Sequence, residues 1–483
     1  MSSGTARSGE TQNDAAVDRF LADPGAYFGG SLTRMMGLSP DQLWELQIAG
    51  LKRRFGQLRG ALPMLDRLAD IQNIDAVEQL DDVVPLLFDH ATYKSYPASL
   101  LDKQRFAQLT AWLNKLTTVD LSRIDVSNCN GVDDWMLTIK RETPLVVVHT
   151  SGTGGTMSFL PWARREYQAM VRQFPVLLFQ RFGDTAAHQA PPDIDCIYPY
   201  FRSGGLSHMA VNDAIVEIIA GGEARFHAAY PGRMSADMAL LAVRRRAAEA
   251  RGDLENLEVS PELSARREEF EAQQRAMPQH IDNFFSNIQV KLANKRVFML
   301  ATANLLHGCA EKGVARGLRN VFASNSILAT GGGNKGVKLP ENWQQTVQAF
   351  FGVERMHILY GMSEMTAALP LCEEGNYHIV PWIIPFVLDP ETGRPFPRRG
   401  TVTGRFAFYD LLPDTRWGGF VTGDEVTMIW DAHCACGRMR PYLAADIQRI
   451  SVKRIDSGEE KLNCAASTEA YTEALDFLND GLS

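Results

Sequence analysis

The sequence has few cysteines, no long apolar run and no excess of positive charge. Its seven cysteines are spread over 483 residues, which does not suit a disulfide framework and favours free thiols or a metal site in a reducing compartment. The most apolar stretches, residues 145–148 and 297–306, are shorter than the roughly 20 residues that a membrane-spanning helix needs. The net charge of −8 offers no basic surface to a nucleic acid. We therefore expect a cytoplasmic protein that works on small molecules, with neither a membrane nor a nucleic acid as partner.

Composition and hydrophobic spacing change along the chain. Residues 1–20 are rich in small polar side chains and lack an apolar run behind a basic start, which predicts a flexible tail and no signal peptide. Apolar residues recur at helical spacing over residues 38–87, and residues 244–279 are dense in Arg, Glu and Ala. Both stretches predict helices, the second one solvated.

The second half of the chain mixes strand-like and helical patterns. A helical run covers residues 340–351, and short strands with Gly and Asp turns fill residues 400–430. Strand-like runs cover residues 297–300, 326–329 and 357–360. This alternation predicts a mixed α/β architecture with a small β region.

A loop rich in glycine and hydroxyl side chains follows a short β-branched run at residues 144–148. Its residues are Thr150, Ser151, Gly152, Thr153, Gly154, Gly155 and Thr156. Exposed backbone N–H groups and short side chains of this kind can wrap a phosphate chain. The loop lacks the Gly-Lys-Ser/Thr ending of a Walker A motif and the glycine spacing of a dinucleotide fingerprint. Taken alone, it fits either a phosphate site or an ordinary tight turn.

Four segments, in this order, resemble the motifs of the adenylate-forming superfamily of acyl-CoA synthetases, luciferases and peptide-synthetase adenylation domains. The segments are the 150–156 loop, Thr330-Gly331-Gly332-Gly333, Tyr360-Gly361-Met362-Ser363-Glu364 and Thr422-Gly423-Asp424. The resemblance runs from about residue 40 to 460. It implies a large, multi-subdomain adenylate-forming domain over residues 21–440, and ATP and Mg²⁺ as cofactors.

The resemblance also implies a role for individual residues. Tyr360 would stack on the adenine, beside the strand end that carries Gly331, Gly332 and Gly333. Ser363 would contact the α-phosphate, and Gly361 and Met362 belong to the same nucleotide-binding motif. Glu364 would hold Mg²⁺, which prefers carboxylate and phosphate oxygens. Asp424 would accept hydrogen bonds from the ribose hydroxyls.

Within the superfamily the chain is most similar to phenylacetate-CoA ligases, with features of bacterial acyl-protein synthetases. Residues 372–378, 389–395 and 434–438 look like phenylacetate-CoA ligase sequence, whereas 331–335 is closer to the acyl-protein synthetase pattern GGGWK. Lys335 is therefore a candidate catalytic residue or contact to an anionic substrate group, the alternative being a solvated loop lysine.

Three cysteines and one histidine have the composition of a structural zinc site. They are Cys372, His378, Cys434 and Cys436. Phenylacetate-CoA ligases have a similar set, while buried free cysteines are the alternative. Four protein ligands would leave no open position on the metal, which predicts a structural ion that clips the small β region to the nucleotide-binding domain.

The C-terminal motif departs from the family pattern. Lys453-Arg454-Ile455-Asp456-Ser457 keeps the nucleotide-binding Arg454 of the usual hinge but loses a glycine and an acid. Residues 441–483 are expected to form a reduced segment, with the usual C-terminal lid domain absent or strongly reduced. Lys335 or Lys461 would then supply the charge that stabilises the reacting α-phosphate. The lid domain normally rotates to build the site of transfer to CoA, so its loss leaves other acceptors open as well.

The substrate pocket is expected near residues 198–208, where the family places an aromatic or histidine gate. Phe201, Arg202 and His208 are the candidate substrate-binding residues, and they suit a substrate with an apolar body and an anionic end.

The leading hypothesis is adenylation of a small aryl or acyl carboxylic acid with release of pyrophosphate. The acyl group would then pass to CoA, a carrier protein, an amine or another nucleophile, and a homodimer is one assembly the chain could form. The alternatives are a diazotase-type enzyme that activates nitrite for an aromatic amine, a non-catalytic nucleotide-binding partner subunit and a phosphotransferase that releases ADP.

Overall fold

The computed structural model describes residues 14–150, 156–180, 194–331, 338–438 and 441–450. Within this described part, no helix is both long and apolar enough to cross a membrane. Lys335, Lys461, Arg454, Gly332, Gly333 and residues 151–155 of the hydroxyl-rich loop lie outside the described residues.

The N-terminal region is helical. Helix α1 covers residues 14–22 and buries Phe20 completely, so the folded chain includes the end of the segment predicted as a flexible tail. The sequence marks the start of a longer helix at Pro40. There the side chains of Ser39 and Gln42 form the reciprocal hydrogen bonds of a capping box. The helices that follow α1 are α2 (Pro24–Tyr27), α3 (Leu32–Met36), α4 (Pro40–Leu58), α5 (Pro63–Gln72), α6 (Ser99–Asp102), α7 (Phe106–Leu113) and α8 (Val132–Glu142). The helices predicted over residues 38–87 are confirmed by α4, α5 and a 3₁₀ helix at Leu80–Leu86.

A hairpin and a mostly parallel sheet form the middle of the fold. Strands β1 (Leu145–His149) and β2 (Phe159–Ala163) pair antiparallel. The sheet has the order β4-β3-β5-β6-β7-β8, and only β8 runs antiparallel to its neighbour. Its strands are β3 (Asp195–Gly204), β4 (Phe226–Met234), β5 (Val297–Thr302), β6 (Ile327–Gly331), β7 (His357–Tyr360) and β8 (Leu369–Pro370). The three strand-like runs of the sequence are thus confirmed as β5, β6 and β7.

Helices connect and cover these strands. They are α9 (Arg164–Arg172), α10 (Ser207–Ala210), α11 (Asn212–Ile215), α12 (Ala236–Arg251), α13 (Pro261–Ala265), α14 (Arg267–Asn287), α15 (Ala303–Ala315) and α16 (Trp343–Phe351). Helices α12 to α14 confirm the helical prediction for residues 244–279, and α16 confirms that for residues 340–351. Shorter 3₁₀ or π turns lie at Thr92–Lys94, Asn114–Leu116, Pro175–Phe179, Val216–Ala220, Glu223–Arg225, Leu254–Asn256 and Ile288–Leu292.

An antiparallel sheet forms the small β region. Its order is β10-β11-β12-β13-β9, with β14 paired to the side of β12. The strands are β9 (Asn376–His378), β10 (Ile383–Leu388), β11 (Thr401–Asp410), β12 (Gly419–Ile429), β13 (Tyr442–Ala444) and β14 (Gln448–Arg449). Because β13 and β14 both pair with β12, residues 441–450 continue this sheet, and the domain boundary expected at residue 440 falls inside it.

The N-terminal helices are tied directly to the antiparallel sheet. Phe88 forms a parallel bridge with Phe420 of β12, and the indole of Trp417 donates a 2.7 Å hydrogen bond to the carbonyl of Leu86. One apolar core runs through the N-terminal helices and both large sheets. The α/β architecture with a small β region, expected from the sequence, is therefore observed.

Candidate active site

Two neighbouring parallel strands deliver two of the sequence motifs to one edge of the sheet. Gly331 ends β6 and lies beside Leu359 of β7, the residue before Tyr360. A Cβ atom at Gly331 would approach the Leu359 carbonyl oxygen to 2.5 Å, so only glycine fits this position without a shift. The carboxyl ends of parallel strands are where ligands bind in sheets of this kind.

Tyr360 and Asp424 meet, although one lies on the parallel sheet and the other on β12. The Tyr360 hydroxyl donates a 2.7 Å hydrogen bond to Asp424 Oδ2. Burial, together with the Asp424 carboxylate, raises the pKa of Tyr360 well above its ordinary value, so the hydroxyl keeps its proton and donates. Arg449 of β14 approaches the other carboxylate oxygen, with 3.0 Å between Nε and Oδ1. The structure thus joins the second, third and fourth motifs in one place.

Glu364 lies in the same group and faces a histidine from the N-terminal region. Its carboxylate is buried, and Oε1 lies 3.5 Å from Nδ1 of His90. Sequence reasoning missed both His90 and Arg449. His90 belongs to no motif, and Arg449, which lies opposite Asp424 in the pairing of β14 with β12, precedes the hinge-like segment 453–457.

A buried ion pair holds the loop that carries Ser363 and Glu364. Arg416 and Glu166 are each 1% exposed, with 2.9 Å between Nε and Oε2. Arg416 also donates to the Glu364 carbonyl at 3.2 Å. Burial alone would lower the pKa of Arg416, but the surrounding acidic groups, led by Glu166, raise it. The guanidinium therefore stays charged behind the loop.

Trp162 of β2 links the hairpin to the same loop. Its indole N–H donates to the Ser363 carbonyl at 2.9 Å, and its ring lies 4.5 Å under the Arg416 guanidinium carbon. The hairpin β1–β2 carries Thr150 and Thr156 at the two sides of its loop. Thr150 is held by backbone pairing with Ser158 at 3.1 Å. The strands on the two sides of the predicted phosphate loop therefore form a hairpin, and β2 contacts the Tyr360–Glu364 motif through Trp162.

The three predicted substrate-binding residues lie on strand β3 and on helix α10, which follows it. Phe201 is buried and packs on Tyr230 with ring centroids 4.9 Å apart. Arg202 pairs with Asp213 at 3.0 Å and with Glu223 at 2.5 Å. This ion pairing gives no support to a role for Arg202 in binding a substrate anion. His208 Nδ1 lies 2.7 Å from the Tyr198 hydroxyl, and its substrate role stays a prediction.

The predicted metal ligands do converge. The ligand atoms of Cys372, His378, Cys434 and Cys436 all lie within 4.8 Å of one another. The Cys372 and Cys434 sulfurs are 3.7 Å apart, and Cys436 Sγ lies 3.2 Å from His378 Nε2. Four ligands about 2.3 Å from a tetrahedral zinc ion would be about 3.7 Å from one another. The geometry therefore fits zinc.

The surroundings of Cys434 favour a thiolate. Burial would raise the pKa of Cys434, but hydrogen bonds from the Cys436 backbone and the Asn376 amide outweigh it and lower that pKa. Metal ions bind the thiolate form of cysteine. Burial raises the pKa of Cys436 to about 11, so the local hydrogen bonds favour a thiolate at Cys434 alone.

Comparison with solved structures defines the class of fold. No protein-family model and no curated protein sequence matches the chain. A structure of 2-hydroxyisobutyryl-CoA ligase in the postadenylation state has a TM-score of 0.50 at 14% identity, and the match covers 87% of this chain and 70% of that one. The chain therefore shares the fold of this CoA ligase.

Two further solved structures are similar over part or most of their length. An open conformation of 2-hydroxyisobutyryl-CoA ligase with 2-HIB-AMP and CoA has a TM-score of 0.49 at 13% identity, covering 85% of this chain and 76% of that one. ATP-bound MatB from Rhodopseudomonas palustris has a TM-score of 0.34 at 14% identity, covering 62% of this chain and 46% of that one.

Proposed function

We propose that the chain is an ATP-dependent adenylating enzyme that converts a small carboxylic acid into its AMP mixed anhydride and releases pyrophosphate. The observation that carries the proposal is the meeting of Tyr360, Glu364 and Asp424 at one sheet edge, in a fold shared with a ligase whose structure holds an acyl-AMP. The phenylacetate-CoA ligase branch, suggested by the sequence, remains part of this proposal.

The described residues have the chemistry that the proposed roles need. Glu364 offers a buried carboxylate to Mg²⁺, which takes oxygen ligands and supplies positive charge next to phosphate. Asp424 has further lone pairs beyond those used by Tyr360 and Arg449, so it can accept from ribose hydroxyls. Three further roles are proposed on the sequence motifs: phosphate binding by Thr150–Thr156, the contact of Ser363 with the α-phosphate, and nucleotide binding by Arg454. The charge that stabilises the reacting α-phosphate is proposed to come from Lys335 or Lys461.

The proposal is tested by acid-dependent exchange of labelled pyrophosphate into ATP. The wild-type chain is screened against aryl and aliphatic acids, and then Glu364→Gln and Asp424→Ala are compared with it on the best acid. Each variant should lower exchange at least tenfold, because Glu364→Gln loses a charged ligand to Mg²⁺ and Asp424→Ala loses the acceptor for the ribose hydroxyls. Glu354→Gln, which alters an exposed acid, is the matched control.

Two results would contradict the proposal. Full exchange in both variants would show that neither carboxylate takes part in the reaction. Formation of ADP instead of AMP would indicate a phosphotransferase.

We propose CoA as the acceptor of the acyl group, because 2-hydroxyisobutyryl-CoA ligase binds CoA with its acyl-AMP. Incubation of the adenylated acid with CoA, a carrier-protein thiol or hydroxylamine distinguishes the acceptors by product mass. A thioester formed only on the carrier protein would replace CoA in the proposal.

We also propose that Cys372, His378, Cys434 and Cys436 hold a structural zinc ion. Elemental analysis of the purified chain should give about one zinc per chain, and Cys436→Ser should lower that content. The ion should stabilise the pairing of β9 with β13, since His378 lies opposite Tyr442. Absence of stoichiometric metal in the wild-type chain would refute the site.

A further inference from the structure

His90 reaches the candidate site because its neighbours are fixed to strand β12. The Phe88 backbone donates to the Gly419 carbonyl at 3.1 Å and accepts from the Val421 N–H at 2.7 Å. On the other side, Asp89 accepts from the Thr92 backbone at 3.0 Å. The backbone around His90 is therefore held on both sides.

The two ring nitrogens of His90 meet different surroundings. Nδ1 lies 3.5 Å from Glu364 Oε1, and the ring packs edge-on against Phe420 with centroids 4.9 Å apart. The side chain as a whole is 38% exposed. Nε2, however, is shielded from solvent and has no hydrogen-bond partner among the residues that the structure describes. A buried polar atom of this kind is normally satisfied by a partner, which a ligand can supply.

Gly423 lies next to this nitrogen, at a place where a side chain would crowd Arg449. A Cβ atom built on Gly423 would lie 3.1 Å from Arg449 Nη1 and 3.8 Å from His90 Nε2. Two nitrogens from distant parts of the chain thus converge on one point beside Asp424. Hydrogen-bond donors that converge in this way suit an anionic oxygen.

We propose that His90 is a further nucleotide-binding residue, whose Nε2 donates a hydrogen bond to a phosphate oxygen of ATP. The inference rests on the proposed function, since it assigns a contact within that site. Nδ1 faces Glu364 on one side of the ring, which leaves Nε2 on the other side for the phosphate. Neither the sequence motifs nor the fold comparison assigns this residue.

The experiment is calorimetric titration of the purified full chain with ATP in the presence of Mg²⁺. His90→Gln places an amide N–H near the position of Nε2, whereas His90→Asn places it near Nδ1. We expect His90→Ala and His90→Asn to raise the Kd for ATP about tenfold, the loss of one hydrogen bond to a charged group. His90→Gln should stay within about threefold of the wild-type Kd on the same scale. His280→Gln, on α14, should bind as the wild type does.

Adenosine is the second probe, because it lacks phosphate. Its Kd should be unchanged in all His90 variants, which also shows that the variants fold. Equal weakening for ATP and adenosine, or wild-type Kd for ATP in His90→Ala, would overturn the assignment of His90. His90→Gln as weak as His90→Asn would overturn the assignment to Nε2. A wild-type chain that binds neither ATP nor adenosine would instead refute the proposed function itself.

Discussion

Two carboxylate–guanidinium pairs flank the Tyr360–Glu364 loop, and they differ in their access to water. Glu166 and Arg416 are each 1% exposed and 2.9 Å apart, whereas Asp424 is 9% and Arg449 55% exposed at a similar distance of 3.0 Å. The groups are chemically alike, so their surroundings decide what each pair can do. A buried pair that loses one partner keeps an uncompensated charge, while an exposed pair exchanges its partner for water or a ligand at small cost.

This difference separates the support of the site from its binding surface. The rear pair, Glu166–Arg416, fixes the loop through the Glu364 carbonyl. The front pair, Asp424–Arg449, includes the carboxylate that we propose for the ribose. The same side-chain chemistry therefore serves two purposes. The buried pair Glu166–Arg416 holds the loop in place, and the more exposed pair Asp424–Arg449 can change its partner.

The largest expected effect comes from breaking the rear pair on one side only. Arg416→Met leaves the Glu166 carboxylate buried and without its cation, and should lower the free energy of unfolding by about 3–5 kcal/mol. Urea denaturation of the variant and the wild type measures the difference. A loss below about 1 kcal/mol would show that water reaches Glu166 and would remove the contrast between the pairs.

A smaller effect is expected when both members of the rear pair are replaced. The double variant Glu166→Gln with Arg416→Met has no isolated buried charge, so it should recover part of the stability lost by Arg416→Met alone. The same urea series measures the recovery. A double variant less stable than Arg416→Met would mean that the Thr415 hydroxyl and the Trp162 ring need the charged pair for packing.

The smallest effect is expected at the front pair. Arg449→Ala should change the free energy of unfolding by less than about 1 kcal/mol, because solvent screens an arginine that is more than half exposed. The difference should shrink further in high salt. If Arg449→Ala lowered the free energy of unfolding as much as Arg416→Met does, independently of salt, the two pairs would not differ in their access to water.

The sequence predicted those parts of the site that depend on local patterns. Gly331 and Tyr360 follow β-rich runs, and a strand followed by a glycine or polar loop is a local signal. The cysteine–histidine set was also recognisable, because few residue types bind zinc. Gly331, Tyr360 and His378 end the strands β6, β7 and β9, whereas the three cysteines lie in the connections between strands.

Contacts that depend on the order of strands were beyond the sequence. His90 meets Glu364 only because Phe88 pairs with β12, and no local pattern encodes that pairing. The charge of Arg202 made it a candidate for binding a substrate anion. In the structure this charge is paired with Asp213 and Glu223. Phe20, an apolar residue at the end of the stretch predicted as a tail, lies in helix α1 and packs edge-on against Tyr27 and Phe28.

The bridge between the N-terminal region and β12 has a consequence for the order of folding. Leu86 and Trp417 are 331 positions apart in the chain when they form their hydrogen bond. Contacts at such separation form late, because the entropy of closing a long loop must be overcome first. During synthesis, the N-terminal helices are made before β12. The segment at Phe88 therefore has no strand to pair with until β12 has been made. Until then this segment has unpaired backbone and apolar surface of the kind that chaperones bind.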